Sequence, residues 1–114
     1  MDSVIEYRRA LHRIPELDSD LPETAAFVRS RLQPLRCQIL EPIRSSVCAF
    51  FDAGKPETAA FRADMDALPE TEETGLPYAS EHPGKMHACG HDGHTAMALV
   101  LAEYVSAHLE ELPR

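Results

Sequence analysis

The stretch Met86-His87-Ala88-Cys89-Gly90-His91-Asp92-Gly93-His94 places three histidines, one cysteine and one aspartate within nine residues. Thiolate and imidazole are soft and borderline ligands, and this density suits a transition metal, zinc first. Cys89 and His91 stand two apart. In an extended segment both side chains therefore leave one face of the backbone and converge on one ion or an adjacent pair. Gly90 and Gly93 admit backbone angles or close approaches that a Cβ would resist. Three other readings of the same residues stay open. The turn caps a helix and binds nothing; Cys89 and a histidine act as nucleophile and base; or His87, Cys89, His91 and His94 build a structural metal site.

Acidic residues upstream add to this picture. Phe61-Arg62-Ala63-Asp64-Met65-Asp66-Ala67-Leu68-Pro69 reads as a strand running into a turn, and Asp64 and Asp66 share a face at its end, where ligands of open α/β sheets collect. One of these carboxylates can orient a metal-bound imidazole; taken alone, an Asp-x-Asp at a strand end is turn chemistry. Residues 70–83 form a long loop, a length that often carries function. Its acids, Glu70, Glu72 and Glu73, read as a solvated surface. His12 is either a helix-terminal histidine meeting carbonyls or solvent, or part of a site.

Two helices, a set of strands and a closing helix must position these groups. The first helix is expected from Ser3 to Ile14, with Val4, Ile5, Leu11 and Ile14 near one stripe and Pro15 preventing continuation. A second starts at Pro22-Glu23-Thr24, where a proline and an acid suit a first turn, and ends at Pro34. Cys37 to Leu40, Val47 to Phe51 and Thr58 to Ala63 are short apolar runs with turn residues between them, the length and punctuation of strands. The second and third are expected to pair centrally. Thr95 to His108 closes the chain as a helix, with Met97, Val100, Leu101, Tyr104 and Val105 at helical spacing and Ala98, Leu99 and Ala102 broadening the apolar face, so that it is expected to be mostly buried. The ligand turn then lies at the positive end of that helix dipole, where an anionic ligand is favoured. The whole pattern is α/β, a layered sheet with helices packed on it.

Composition bounds the function. The chain has 114 residues, 44% apolar and 26% charged, enough for one domain with a core. Its formal charge of -8, with no basic patch interleaved with aromatics, argues against nucleic acid and against anionic membrane surfaces as partners. Cys37, Cys48 and Cys89 are irregularly spaced and odd in number, which fits a reducing cytoplasm rather than a disulfide framework. The N-terminus has no apolar signal region, and no run approaches the roughly 20 residues a bilayer needs. The chain reads as soluble, unexported and cytoplasmic.

Three ordered motifs carry a resemblance. Phe61 to Pro69 as quoted, then Thr74-Gly75-Leu76-Pro77-Tyr78-Ala79-Ser80, then Pro83-Gly84-Lys85 leading into Met86 to His94, closely resemble the M20 metallopeptidase family. The match is to its amidohydrolase branch, which includes hippurate hydrolases, N-acyl-amino-acid amidohydrolases and auxin-conjugate hydrolases. Leu11-His12-Arg13-Ile14-Pro15-Glu16-Leu17 is similar to that branch's opening helix, so the likeness covers essentially the whole chain.

The resemblance implies a zinc-exopeptidase-like α/β catalytic domain, of which residues 1–114 are the N-terminal part, and a smaller lid or dimerisation domain inserted later. It implies a site for two divalent metals (zinc, manganese, nickel or cobalt) with Cys89 and His91 as ligands and Asp66 as an orienting carboxylate. The implied reaction is cleavage of the amide bond of N-acyl amino acids or small peptides through metal-activated water. Two departures stand out. The chain stops at Glu111-Leu112-Pro113-Arg114, where the family enters a strand leading to a paired glutamate that supplies the base and a ligand, and the family's two later ligand histidines are also missing. Glu70 stands where the family commonly has an apolar residue. The sequence thus carries an alternative, a catalytically inactive fragment or binding module that keeps half of the metal site. The missing strand also leaves an unprotected sheet edge, and with it an expectation of homo-oligomers.

Overall fold

The computed structural model describes residues 2–113. Its elements follow in the order α1 (Asp2–His12), α2 (Pro22–Leu32), β1 (Gln38–Leu40), β2 (Cys48–Phe50) and α3 (His91–Ala107), with a 3-10 turn at Leu109–Glu111. Helices laid against a sheet make it an α/β unit, as expected. None of the described helices is long and apolar enough to cross a membrane.

Each helix end has a local cause. Regular α1 stops at His12 rather than Ile14, and the Ile14 N–H closes a last turn on the Leu11 carbonyl at 3.1 Å, just before Pro15. Pro22 opens α2, but Leu21 at the N-cap offers no side-chain acceptor. Glu16 takes over that duty from five residues upstream. Its buried carboxylate accepts the Thr24 N–H at 2.7 Å and the Glu23 N–H at 3.0 Å, satisfying donors that the helix itself cannot. Charged capping of this kind is worth about 2 kcal/mol. Glu16→Ala is expected to lose about that much stability in urea unfolding; a loss within about 0.5 kcal/mol, the level of an ordinary surface change, would contradict the capping role.

The sheet is an antiparallel pair in which Gln38 faces Phe50, Ile39 faces Ala49 and Leu40 faces Cys48. Side chains alternate across it, so the half-buried pair Ile39 and Ala49 turns to the helices while Gln38, Leu40, Cys48 and Phe50 are exposed. Val28 and Leu32 of α2 meet Leu99 of α3 in the core, which Tyr7, Ile39, Val47 and Met65 surround. Tyr7 of α1 also donates a hydrogen bond to Glu103 of α3.

Two expectations are corrected here. Residues 58–63 form no strand, and the only pairing of β2 among the described residues is with β1. The run was read as a strand from its apolar character, but strand propensity reports a fit to neighbouring strands, and none of the described strands pairs with it. Residues 57–62 are all exposed, Phe61 to 78%, and a cleft of about 390 Å³ is lined by residues 43–47 together with 61–66. The second correction concerns the last helix. It starts at His91, not Thr95, and it buries Asp92, Thr95, Ala96, Leu99 and Ser106, while Met97 and Tyr104 of the expected buried stripe are 56% and 59% exposed. Apolar residues ring this helix almost completely, so periodicity does not choose a face. Contact does: α1 and α2 both pack on α3, whose Thr95, Ala96 and Leu99 are buried.

Candidate metal centre

The turn that carries Cys89 and His91 is built by one glycine and one helix. Cys89 is exposed, and after it Gly90 takes φ 99°, a left-handed angle that L side chains rarely adopt, so that α3 starts directly at His91. Apart from Gly90 and its two chain neighbours, no atom of the described residues lies within 4 Å of where a Gly90 Cβ would stand, so the backbone angle and not space demands glycine there. Cys89 and His91 are thus set on the exit of a turn and the first residue of a helix, rather than on one face of an extended segment.

Asp66 meets His91 across 25 positions of sequence. His91 Nδ1 lies 2.9 Å from the Asp66 carbonyl and 3.1 Å from Asp66 Oδ1. An Nδ1–H donating to these two oxygens leaves Nε2 with its lone pair available, the arrangement in which a carboxylate orients a metal-ligating imidazole. The neighbouring Asp64 plays a different part. Its carbonyl accepts the Thr95 hydroxyl at 3.1 Å and its carboxylate pairs with Arg62, so it fastens the segment to α3. The side chains of Asp66 and His91 are 41% and 22% exposed, which leaves the pair open to an incoming ion.

The donor chemistry of Cys89 and His91 fits a divalent transition metal, but only in part. Among the described residues, no group of three His, Cys, Asp or Glu side chains is disposed to hold a metal ion. The structural site expected as an alternative from His87, Cys89, His91 and His94 therefore does not assemble. His87 turns inward, 4% exposed, and neither ring nitrogen has a hydrogen-bond partner among the described residues. Burial pushes its imidazole below the ordinary value, with the nearby His12 and His91 adding to the effect and Asp92 and Asp66 opposing it.

Beneath the turn lies a polar cluster that the sequence did not disclose. His12 is 2% exposed; its Nδ1 lies 2.8 Å from Asp92 Oδ2 and its Nε2 lies 3.0 Å from the Glu72 carboxylate. Arg8 Nε reaches the same Asp92 oxygen at 3.0 Å, and Asp92 Oδ1 accepts the Gly93 N–H at 2.9 Å. Glu72, read from sequence as surface, has a side chain only 3% exposed and also accepts the Ser80 N–H at 2.8 Å and the Thr74 hydroxyl. The one signal available beforehand was a histidine ending an apolar helix face just before Pro15.

Glu72 gives the cluster a pH signature. Burial pushes its carboxyl up, but the hydrogen bonds from Thr74, the Ser80 N–H and His12 outweigh burial and hold it below its ordinary value of 4.5. A carboxyl depressed in the folded state adds stability that is complete above 4.5 and is lost as pH falls through the lower folded value. Urea midpoints measured against pH should therefore drop on the acid side of 4.5 in the wild type and drop less steeply in Glu72→Gln. Parallel acid limbs would contradict this assignment.

Comparison with known proteins follows the same lines. Residues 60–114 match the family described as Peptidase family M20/M25/M40. An N-acetyldiaminopimelate deacetylase from Halalkalibacterium halodurans is 45% identical over 112 residues, covering 96% of this chain and 30% of that protein. An N-acyl-L-amino acid amidohydrolase from Geobacillus stearothermophilus is 48% identical over 105 residues, covering 90% of this chain and 28% of that protein. Among solved structures, a Bacillus subtilis protein described as a dinuclear metal binding peptidase from the M20 family superposes with a TM-score of 0.84 and 40% identity, over 96% of this chain and 31% of that one. The chain spans about 30% of the length of these relatives.

Proposed function

From the premise that this chain belongs to peptidase family M20/M25/M40, we propose that it supplies the ligand turn of a metal-dependent amidohydrolase acting on N-acyl amino acids or small peptides. Residues 1–114 are then part of the catalytic domain. Cys89 and His91 would be ligands in a site for two divalent metals, and Asp66 would orient the His91 ring. Sulfur and nitrogen donors of this kind admit zinc, manganese, nickel or cobalt, because geometry and availability choose among them. Bound there, the metal supplies Lewis acidity at the scissile carbonyl. The observation that carries the proposal is the His91 ring, whose Nδ1 lies 3.1 Å from Asp66 Oδ1, two residues from an exposed thiol. A reducing cytoplasm is the matching compartment, with all three cysteines unpaired. Self-association through an uncovered sheet edge belongs to the same proposal, and strictly monomeric behaviour at high concentration would count against it.

A second reading rests on the absence of any three-donor group among the described residues. Catalytic zinc takes about three ligands from protein. On that ground we infer that the 114 residues by themselves bind metal weakly and hydrolyse nothing at a useful rate. Two assays separate the ideas. The metal-loaded chain, given a panel of N-acyl amino acids that includes benzoylglycine, should match a Cys89→Ala control; turnover well above the control would overturn the second reading. In the Geobacillus stearothermophilus amidohydrolase, the matched segment can be exchanged for this chain. The chimera should hydrolyse N-acyl amino acids and its Cys89→Ala form should not. A folded chimera with no activity, or one indifferent to Cys89, contradicts the amidohydrolase proposal.

A further inference from the structure

We propose that His12 is a positioning residue for the ligand turn, an inference that rests on the metal reading of Cys89 and His91 given above. Its ring touches neither of them. It acts through Asp92, the residue that follows His91 at the start of α3, and through Glu72 in the long loop.

The segment that begins at His12 grips every piece from which the site is made. His12 holds Asp92 at 2.8 Å, and so the helix start that carries His91. Four residues on, the Glu16 carbonyl accepts the Ala67 N–H at 2.8 Å, which fixes the backbone next to Asp66. Between them, the Arg13 carbonyl accepts the Glu81 N–H at 2.8 Å and His12 Nε2 meets Glu72 at 3.0 Å, so the loop is fastened near both of its ends. Tyr78 of the same loop lies under the guanidinium of Arg9, 4.7 Å from its ring centre, and edge-on to His12 at 5.8 Å. The residues from 12 to 16 thus set the distance between Asp66 and His91.

That distance has little slack. Asp66 Oδ1 and His91 Nδ1 are 3.1 Å apart, already at the long end for an N–H···O bond, so a shift of about 0.5 Å that lengthens it ends the contact with the carboxylate and leaves only the backbone carbonyl at 2.9 Å. Stability alone does not account for the cluster. Buried ion pairs replaced by apolar groups of like volume are often neutral or more stable, whereas a buried polar network specifies one arrangement over its neighbours. Here the arrangement specified includes the residue beside a proposed ligand.

The test is cobalt binding by the 114-residue chain, followed by the near-ultraviolet sulfur-to-cobalt absorption and by the dissociation constant. His12→Phe keeps a ring and removes both polar contacts. It is expected to weaken cobalt binding about tenfold, the lower range for a group that orients a ligand, and to diminish the absorption band. His12→Gln, which retains an amide donor, should recover part of both. Leu99→Ala serves as the control for stability alone, since it lies in the core and should leave the dissociation constant of the folded chain unchanged. If His12→Phe does not fold, Asp92→Asn takes its place with the same expected loss. A folded variant with wild-type affinity and band overturns the positioning role, as does an equal loss of affinity in Leu99→Ala. A wild-type chain without a Cys89-dependent band overturns the metal reading and the positioning role with it.

Discussion

Replacing Cys89 with alanine is expected to weaken zinc or cobalt binding on the order of a hundredfold and to abolish the sulfur-to-cobalt absorption, because the chain then keeps one strong donor in place of two. The thiol is exposed, its turn is held by Gly90 at φ 99°, and no described cluster of three donors stands by to replace it. His91→Ala should cost as much. Asp66→Asn should cost less, about tenfold, since it orients the ring at 3.1 Å and contributes no ligand of its own in this account. Calorimetric titration of the three variants ranks them directly. An Asp66 variant weaker than the Cys89 variant would mean that the roles of ligand and orienting group are reversed.

Leu99→Ala is expected to lose about 3 kcal/mol of stability. Leu99 is 3% exposed and stands where α3 meets Val28 and Leu32 of α2, so the truncated side chain leaves a cavity between two helices whose backbones are fixed elsewhere. For a domain whose total stability is about 5–15 kcal/mol, that is a large share. Two residues along the same helix, Leu101 is 36% exposed, and Leu101→Ala should change stability by no more than about 1 kcal/mol. Urea unfolding of the pair measures the difference; equal losses would show that the core does not lie on the face described.

The contrast between these two leucines marks where the sequence stopped being informative. The existence of all three helices was legible, because Pro15, Pro22 and Pro34 bracket the first two and the third is long and apolar. Which face of the third helix turns inward was not legible, since nearly every position from Ala96 to Ala102 is apolar and the choice falls to Thr95, Ala96 and Leu99 through their contact with neighbouring elements. Residues 58–63 show the same limit for strands: β1 found its partner in β2, and the third apolar run did not. At the site, the type and spacing of Cys89 and His91 suggested the metal chemistry proposed above, and the motif that pointed to Asp66 is matched by its contact with His91. Glu72 was read as surface, and His12 was left between a helix end and a site, because their contacts lie 80 and 60 positions apart in sequence, His12 with Asp92 and with Glu72, and neither periodicity nor composition carries such information.

X-ray absorption on the zinc-loaded chain tests the central claim most directly, because it reads the atoms around the metal without reference to turnover. The expected shell contains one sulfur at about 2.3 Å and at least one imidazole nitrogen at about 2.0–2.1 Å, with the sulfur lost in Cys89→Ala. A shell of oxygen and nitrogen alone in the wild-type chain, or a sulfur that persists in the variant, would contradict the assignment of Cys89 and His91 as the metal's ligands.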